Sequence, residues 1–149
     1  MTKIFNTPFE VSLRVLLILS AVNPFAMTID RISAYDLMTV YGKDFGIAEK
    51  NLHGDSQFSF SEFSAKREQC SIALKSLLLD NYVSLKQSPQ GFLFGLNERS
   101  MHFAKSMQSE YATEYIETAK KAHQMFRETS DESLLSEITN QAICTLKRR

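Results

Sequence analysis

Apolar residues recur at helical spacing over most of the chain. Residues 8–22 are apolar on nearly every side, which predicts a buried helix that Asn23-Pro24 brings to an end. A second helix is expected from the cap residue Thr28 to about residue 41, because apolar side chains repeat there at intervals of three and four. The chain is therefore expected to begin with two consecutive helices.

A third helix has an entry signal of its own. Ser59 and Glu62 have the spacing of a capping box, and Phe58 and Phe63 have the spacing of a hydrophobic staple. Apolar residues at helical intervals follow these signals, so the pattern predicts a third helix that ends near Leu79.

A small hairpin interrupts the helical pattern. Residues 83–86 and 92–96 alternate in the manner of β-strands, and residues 88–91 have the turn sequence Ser-Pro-Gln-Gly. Asn97 is a good cap residue, and the sequence after it contains no glycine or proline. One long helix is therefore expected from this cap to about residue 127.

The order of predicted elements is helix, helix, loop, helix, hairpin and further helices. A two-stranded hairpin is not stable alone, so its apolar face must pack on the helices. We predict a mainly α fold, a winged helix-turn-helix with a two-stranded wing and a long helical C-terminal extension. Residues 1–127 would form the winged-helix domain. Residues 128–149, with a start signal at Thr129 and Glu132, would form a terminal helix packed on that domain or on a partner.

Composition indicates a globular chain without electrostatic preference. The 149 residues are 44% hydrophobic and include 17 basic and 17 acidic side chains, so the formal net charge is zero. This balance gives no overall attraction to nucleic acid or to an anionic membrane. The apolar stretch at residues 15–22 is too short to span a bilayer. The charged residues Glu10 and Arg14 interrupt the apolar sequence just before it. Cys70 and Cys144 are interpreted as reduced core thiols, so a cytoplasmic protein without a membrane segment is expected.

Two short motifs could suggest catalysis or metal binding. Asp44-Phe45-Gly46 has the letters of the kinase metal-binding triplet, but the sequence has no glycine-rich phosphate loop and no H-R-D motif. His53-Gly54-Asp55 offers few ligands, and His102 and His123 belong to a different predicted helix. Both motifs lie in the glycine-rich segment 42–57, for which a structural turn or a protein-contact loop is the simpler interpretation. No enzymatic activity, cofactor or metal is therefore expected.

DNA binding is the usual function of a winged helix, through its third helix and its wing. The candidate DNA contacts are Lys66, Arg67 and Lys86. Between residues 61 and 80, however, three basic side chains are balanced by three acidic ones. Because affinity for a duplex depends on the number of phosphates neutralised, this helix offers little net attraction. A DNA-binding transcriptional regulator, dimeric through its C-terminal helices, is the alternative function.

The predicted long helix points instead to protein contacts. Tyr111 and Tyr115 lie on it together with methionines, and both residue types are common in interfaces, although core packing explains each of them as well. A helix of that length would extend past a small domain, so part of its apolar stripe needs a partner or the last helix. A homodimer is one way to cover it.

Particular strings in the sequence carry a family resemblance. They are FNTPFEVSLRVLLILS at 5–20, IDRISAYDLMTVYGKDFG at 29–46, NLHGD at 51–55, FSEFSAKREQCSIALKSLLLDNYV at 60–83 and GFLFGLNERSMHFAKSMQSEYATEY at 91–115. These stretches resemble the small middle component of bacterial ABC three-component systems, the Lamassu-type anti-phage defence operons. The resemblance covers about residues 5–120.

The resemblance implies a non-enzymatic adapter that works beside an SMC-like ATPase subunit and a nuclease effector subunit, with DNA reached through the complex. Defence against phages and plasmids would be the outcome. The positions that match the family are candidate interface or loop-shaping residues: Arg31, Asp36, Tyr41, Gly42, Asp44, Phe45, Gly46, His53, Gly54, Asp55, Glu62 and Arg67. Tyr111 and Tyr115, from the long predicted helix, complete the candidate protein interface.

Overall fold

A computed structural model describes residues 7–54 and 62–147, which form a mainly helical protein with one small antiparallel sheet. In chain order the elements are α1 (Pro8–Val22), α2 (Ile29–Val40), α3 (Phe63–Leu79), β1 (Val83–Ser88), β2 (Gly91–Leu96), α4 (Glu98–Lys105), α5 (Glu110–Phe126) and α6 (Asp131–Lys147). The mainly helical class and the hairpin are therefore confirmed.

Helix α1 lies at the centre of the core, as its all-round apolar sequence predicts. The Thr7 hydroxyl caps it by accepting a hydrogen bond of 3.2 Å from the Glu10 amide. Helices α2, α3, α4 and α5 and strand β2 all contact α1. Within residues 7–54 and 62–147, no helix combines the length and the apolar character that a bilayer crossing requires.

Helix α2 begins at the predicted cap. The hydroxyl of Thr28 accepts a hydrogen bond of 3.2 Å from the Arg31 amide, which satisfies one of the free donors at the helix start. Every residue from Arg31 to Val40 is buried, because α3, α5 and α6 pack around the helix. Helix α2 is therefore buried as deeply as α1.

Helix α3 is described from Phe63 onward. Glu62 occupies its cap position, but the Glu62 side chain makes no capping hydrogen bond. Both of its carboxylate oxygens instead accept a hydrogen bond of 3.0 Å from the Tyr41 hydroxyl. The capping box expected from Ser59 and Glu62 stays a prediction because Ser59 lies outside the described residues, and the Glu62 carboxylate contacts Tyr41, the residue after α2. The other residues of the predicted entry signal, Phe58 and Ser59, lie outside the described residues.

The hairpin forms where the sequence predicts it and is joined to the helices by the backbone. Asn81 ends α3 with a left-handed φ of 61°, and β1 then pairs with β2 from Val83 opposite Leu96 onward. The backbone amides and carbonyls of Met27 and Phe94 exchange two hydrogen bonds of 3.0 and 2.7 Å. This bridge fixes β2 against the segment between α1 and α2.

The expected single helix over residues 97–127 is wrong. The segment 106–109 separates α4 from α5, and its serines compete with helix continuation. The Ser106 hydroxyl donates a hydrogen bond of 2.6 Å to a carbonyl in the last turn of α4. The Ser109 hydroxyl caps α5 by accepting a hydrogen bond of 3.1 Å from the Ala112 amide. Helix α5 therefore packs on α1 and α2 and does not extend past the domain.

The last helix starts close to its predicted signal. The Ser130 hydroxyl, one residue after Thr129, accepts a hydrogen bond of 3.1 Å from the Ser133 amide. Helix α6 then packs on α2 and buries Leu134 and Ile138. The C-terminal helix thus lies on the body of its own chain, and its status as a separate unit stays a prediction.

Candidate functional site

A buried ion pair joins the two central helices. Arg14 on α1 donates from Nε to Oδ1 of Asp36 on α2 at 2.9 Å, and from Nη2 to Oδ2 at 3.2 Å. Both residues are 1% exposed. The sequence of α1 predicts only an apolar helix, so its one arginine lies in the core because α2 supplies a carboxylate in the right place.

Two further helices bring polar groups to the same carboxylate. Lys66 on α3 places Nζ 3.6 Å from Oδ2 of Asp36, and Tyr115 on α5 donates its hydroxyl to Oδ1. The Lys66 side chain is only 2% exposed. One aspartate therefore connects α1, α2, α3 and α5, and we call Arg14, Asp36, Lys66 and Tyr115 the polar core.

The charges of the polar core stabilise each other. Burial alone would raise the pKa of Asp36, but the charges of Arg14 and Lys66 and the hydrogen bonds that Asp36 accepts outweigh burial. The pKa of Asp36 therefore lies well below its ordinary value. Burial lowers the pKa of Arg14, and the Asp36 carboxylate more than restores it, so the guanidinium stays charged. The pKa of Tyr115 is raised well above its ordinary value, first by burial and then by Asp36.

A histidine extends this network towards the surface. Nε2 of His53 and the hydroxyl of Tyr111 share a hydrogen bond of 2.6 Å, and the Tyr111 ring meets the Tyr115 ring edge to face at 6.0 Å. Burial, helped by the charge of Arg14, lowers the pKa of His53 to about 3. His53 is therefore neutral at physiological pH.

A second network attaches the C-terminal helix. Arg31 donates from Nε to Asp131 at 2.8 Å and from Nη1 to the carbonyl of Phe126 at 2.9 Å, and it also donates to the carbonyl of Thr129. The hydroxyl of Thr28 donates to the same aspartate at 2.5 Å. Because these acceptors lie at the end of α5 and the start of α6, Arg31 fixes the turn between them against α2.

The glycine-rich segment after α2 is a folded turn. The side-chain oxygen of Asn51 accepts a hydrogen bond of 3.0 Å from the Lys43 amide, and the Leu52 amide donates to the Val40 carbonyl at 2.9 Å. A Cβ atom at Gly42 would lie 2.8 Å from the Cβ of Ala48, which is closer than side chains approach. This supports the loop-shaping interpretation of the motif.

The structure divides the candidate interface residues by exposure. Those buried in the core are Arg31, Asp36, Tyr41 and Tyr115. Those partly buried are Phe45, His53, Glu62 and Tyr111, and those exposed are Asp44 and Arg67. Asp55 lies outside the described residues. The buried members hold the fold together and offer no surface, while an interface role for the others stays a prediction.

Burial also changes the candidate DNA contacts. The ammonium of Lys66 lies in the polar core, so it is removed from the predicted surface patch of three cations. Nε of Arg67 lies 2.5 Å from Oδ1 of Asp30, and Lys86 is exposed on β1. The cationic patch expected on α3 and the wing is thus reduced to one ion-paired arginine and one exposed lysine.

Large apolar side chains are exposed where the cations were expected. Leu79 at the end of α3 is 87% exposed, and Phe92 on β2 is 53% exposed, with Ile72 on α3 and Leu85 on β1 also exposed. The sequence carried a signal for the first of these. Three consecutive leucines at 77–79 cannot all face one side of a helix, so at least one must point outward.

Several clefts lie on the surface of the described residues. One cleft has a volume of about 810 Å³ and is lined by charges of both signs, including Arg31 and Asp131, which already bind each other, and by Phe25 and Lys86. Across residues 7–54 and 62–147, no three His, Cys, Asp or Glu side chains come together in a way that could hold a metal ion. The absence of a cofactor and of catalysis stays a prediction.

Comparison with protein families gives one match. The family model described as ABC-three component (ABC-3C) system Middle Component 2 matches residues 4–148. Comparison with curated proteins and comparison with solved structures each gave no match.

Proposed function

Because this chain belongs to the Middle Component 2 family of ABC-three component systems, we propose that it is a non-enzymatic adapter subunit of a defence complex. A middle component of a multi-component system has protein partners. The more specific proposal follows the sequence resemblance. The system would be of the Lamassu type, with an SMC-like ATPase and a nuclease effector as the two partners, acting in the cytoplasm against phages and plasmids.

The proposed domain is a winged helix. The order α1, α2, α3 and hairpin supports this, since α3 leads directly into β1 and the hairpin packs beside it. In such a domain α3 and the hairpin would form the surface that meets a ligand. DNA would be reached through the assembled complex, and a homodimer is compatible with this role.

The exposed surface of α3 and the hairpin carries the proposal. Lys66 is used inside the polar core, whereas Leu79 and Phe92 are exposed on these elements. Duplex affinity rises with the number of phosphates that cations neutralise, but exposed apolar groups gain free energy when a protein covers them. The surface is therefore better suited to a polypeptide than to a phosphate backbone.

Co-purification tests the adapter role. The tagged chain is co-expressed with the two proposed larger components of its system, and the complex is analysed by size-exclusion chromatography with light scattering. We expect one stable assembly that contains this chain and at least one larger component. The proposal is contradicted if the column retains the tagged chain while both untagged larger components flow through at every salt concentration tried.

A further inference from the structure

The end of α3, the start of β1 and helix α4 meet around Tyr82. The rings of Tyr82 and Phe103 have centroids 5.8 Å apart, and the guanidinium carbon of Arg99 lies 4.3 Å from the centre of the Tyr82 ring. Nη1 of Arg99 also donates a hydrogen bond of 3.3 Å to the Asp80 carbonyl at the end of α3. Leu79 precedes this carbonyl in the chain. We call Leu79, Tyr82, Arg99 and Phe103 the α3–α4 patch.

The α3–α4 patch exposes apolar surface that the fold does not use. Leu77 is buried in the core, whereas Leu79, two positions later on the helix, is 87% exposed. Phe103 is 36% exposed although Ala104, its neighbour on α4, is buried. Tyrosine, phenylalanine and arginine are enriched in the buried centres of protein interfaces, and Arg99 is already held in place by stacking.

Charged side chains of both signs flank this apolar surface. Lys75 lies one turn before Leu79 on α3, Arg99 and Lys105 lie on α4, and the exposed carboxylates Asp80 and Glu98 are the chain neighbours of Leu79 and Arg99. No carboxylate among residues 7–54 and 62–147 lies within ion-pair distance of these three cations. A planar guanidinium held by stacking is suited to bind a carboxylate through two parallel hydrogen bonds.

From this arrangement we propose that the α3–α4 patch is the docking site for an amphipathic segment of a larger component, with apolar side chains flanked by Asp or Glu. The inference rests on the proposed adapter function and specifies which surface serves it. The apolar side chains of the segment cover Leu79 and Phe103, and a carboxylate of the segment binds Arg99.

Two other occupants fit the patch less well. A phosphate backbone could contact the cations, but it would leave Leu79 and Phe103 in water. A second copy of this chain, related by a two-fold axis, would place the same surface on both sides of the interface. The Arg99 guanidinium groups of the two copies would then lie on facing surfaces, and like charges oppose association.

The test uses the larger component that co-purifies with the wild-type chain, and it measures affinity by biolayer interferometry. Leu79→Ser and Phe103→Ser each remove apolar surface, and Arg99→Glu reverses the charge that binds the carboxylate. Met125→Ser is the matched control, because Met125 is 55% exposed on α5, away from the patch. We expect each patch variant to weaken binding by about tenfold or more, and the control by less than about twofold.

The salt dependence of the affinity distinguishes the contribution of ion pairs to binding from the contribution of apolar contacts. Wild-type affinity is expected to fall with rising salt, and the Arg99→Glu variant is expected to lose most of that dependence, because surface ion pairs are screened. The Leu79→Ser and Met125→Ser variants should keep the wild-type melting temperature because these side chains are exposed, and binding by Phe103→Ser and Arg99→Glu is measured below the melting temperature of each variant, because both side chains pack on Tyr82.

The outcomes distinguish the two proposals. If no larger component binds the wild-type chain, the adapter function fails and the docking site fails with it. If the wild type binds and the three patch variants bind equally well, the α3–α4 patch is not the docking site, while the adapter function stands. Binding that strengthens in Arg99→Glu would show that the segment is basic and would overturn its proposed acidic character.

Discussion

At the scale of single residues, one carboxylate organises the interior. Asp36 faces Arg14 and Lys66 and accepts a hydrogen bond from Tyr115, all with almost no contact with solvent. Buried ion pairs contribute little net stability relative to apolar packing, but the loss of one partner leaves a charge buried without compensation. The polar core therefore defines how α1, α2, α3 and α5 are arranged more than it adds free energy.

Replacing Asp36 should be costly for this reason. In Asp36→Ala, two cations remain buried without their carboxylate, and we expect the free energy of unfolding to fall by roughly 3–5 kcal/mol. Urea denaturation followed by circular dichroism measures the change. Glu68→Ala, on the exposed face of α3, is the control and should stay within about 0.5 kcal/mol of the wild type. A loss below about 1 kcal/mol for Asp36→Ala would refute the role given to the polar core.

His53 should make the protein less stable in mild acid. Its pKa is about 3 in the folded protein against 6.5 for an ordinary histidine, so the unfolded chain binds more protons between these values. The contribution of the neutral His53 to the free energy of unfolding is complete above pH 6.5 and is lost as the pH falls towards 3. We expect His53→Gln to reduce the loss of unfolding free energy between about pH 7 and pH 5.

The control for this prediction is another histidine. His102 is exposed on α4, so His102→Gln should keep the wild-type dependence on pH. His123, whose pKa is lowered by burial and by Arg127 and Arg31, should leave some acid sensitivity in the His53 variant. Parallel stability curves for the wild type and His53→Gln would contradict the assignment of a buried neutral imidazole to His53.

At the scale of elements, local signals located the helices where the signals were strong. Thr28 and Asn97 cap the helices that they were expected to cap, and the Ser-Pro-Gln-Gly turn lies between β1 and β2 as predicted. The single helix predicted over residues 97–127 is wrong because serine side chains can end and start helices inside an otherwise helical pattern. Ser106 and Ser109 end one helix and start the next.

One arginine makes most of the polar contacts that attach α6 to α2. Arg31 holds Asp131 at the start of α6 and two backbone carbonyls at the turn before it. In Arg31→Lys, a compact ammonium replaces a fork of donors, so these contacts cannot all be made. We expect faster hydrogen exchange in residues 131–141, while exchange in α1 changes little.

The control for this experiment is Arg127→Lys, because Arg127 is exposed at the end of α5. It should leave exchange in α6 unchanged. Equal protection of α6 in the wild type and Arg31→Lys would mean that Leu134 and Ile138 alone hold the helix.

The candidate site was less predictable than the elements. Counting charges on α3 gave a neutral helix but could not show that Lys66 turns inward, because its partner Asp36 is distant in sequence. Arg31 and Asp36 were named through the family resemblance, and the structure gives them internal roles. Side-chain direction depends on packing between helices, which periodicity alone does not specify when a stripe includes charged residues.

At the scale of the whole molecule, charge is arranged so that attraction to DNA is weak. Formal net charge is zero, and two of the cations on α1 and α3 are enclosed in the polar core. The surface of α3 and the hairpin instead exposes Leu79 and Phe92. This arrangement suits a family whose members are middle components of multi-component systems.

Direct DNA binding by the isolated chain tests this claim most directly. Fluorescence anisotropy with a labelled mixed-sequence duplex is recorded between about 50 and 200 mM salt. We expect no binding tighter than about 10⁻⁴ M at the higher salt, the weak end of non-specific affinity. Micromolar or tighter binding that weakens steeply with salt would mean that the isolated chain binds the phosphate backbone of DNA. This result would contradict the proposal that the chain is a protein-binding adapter.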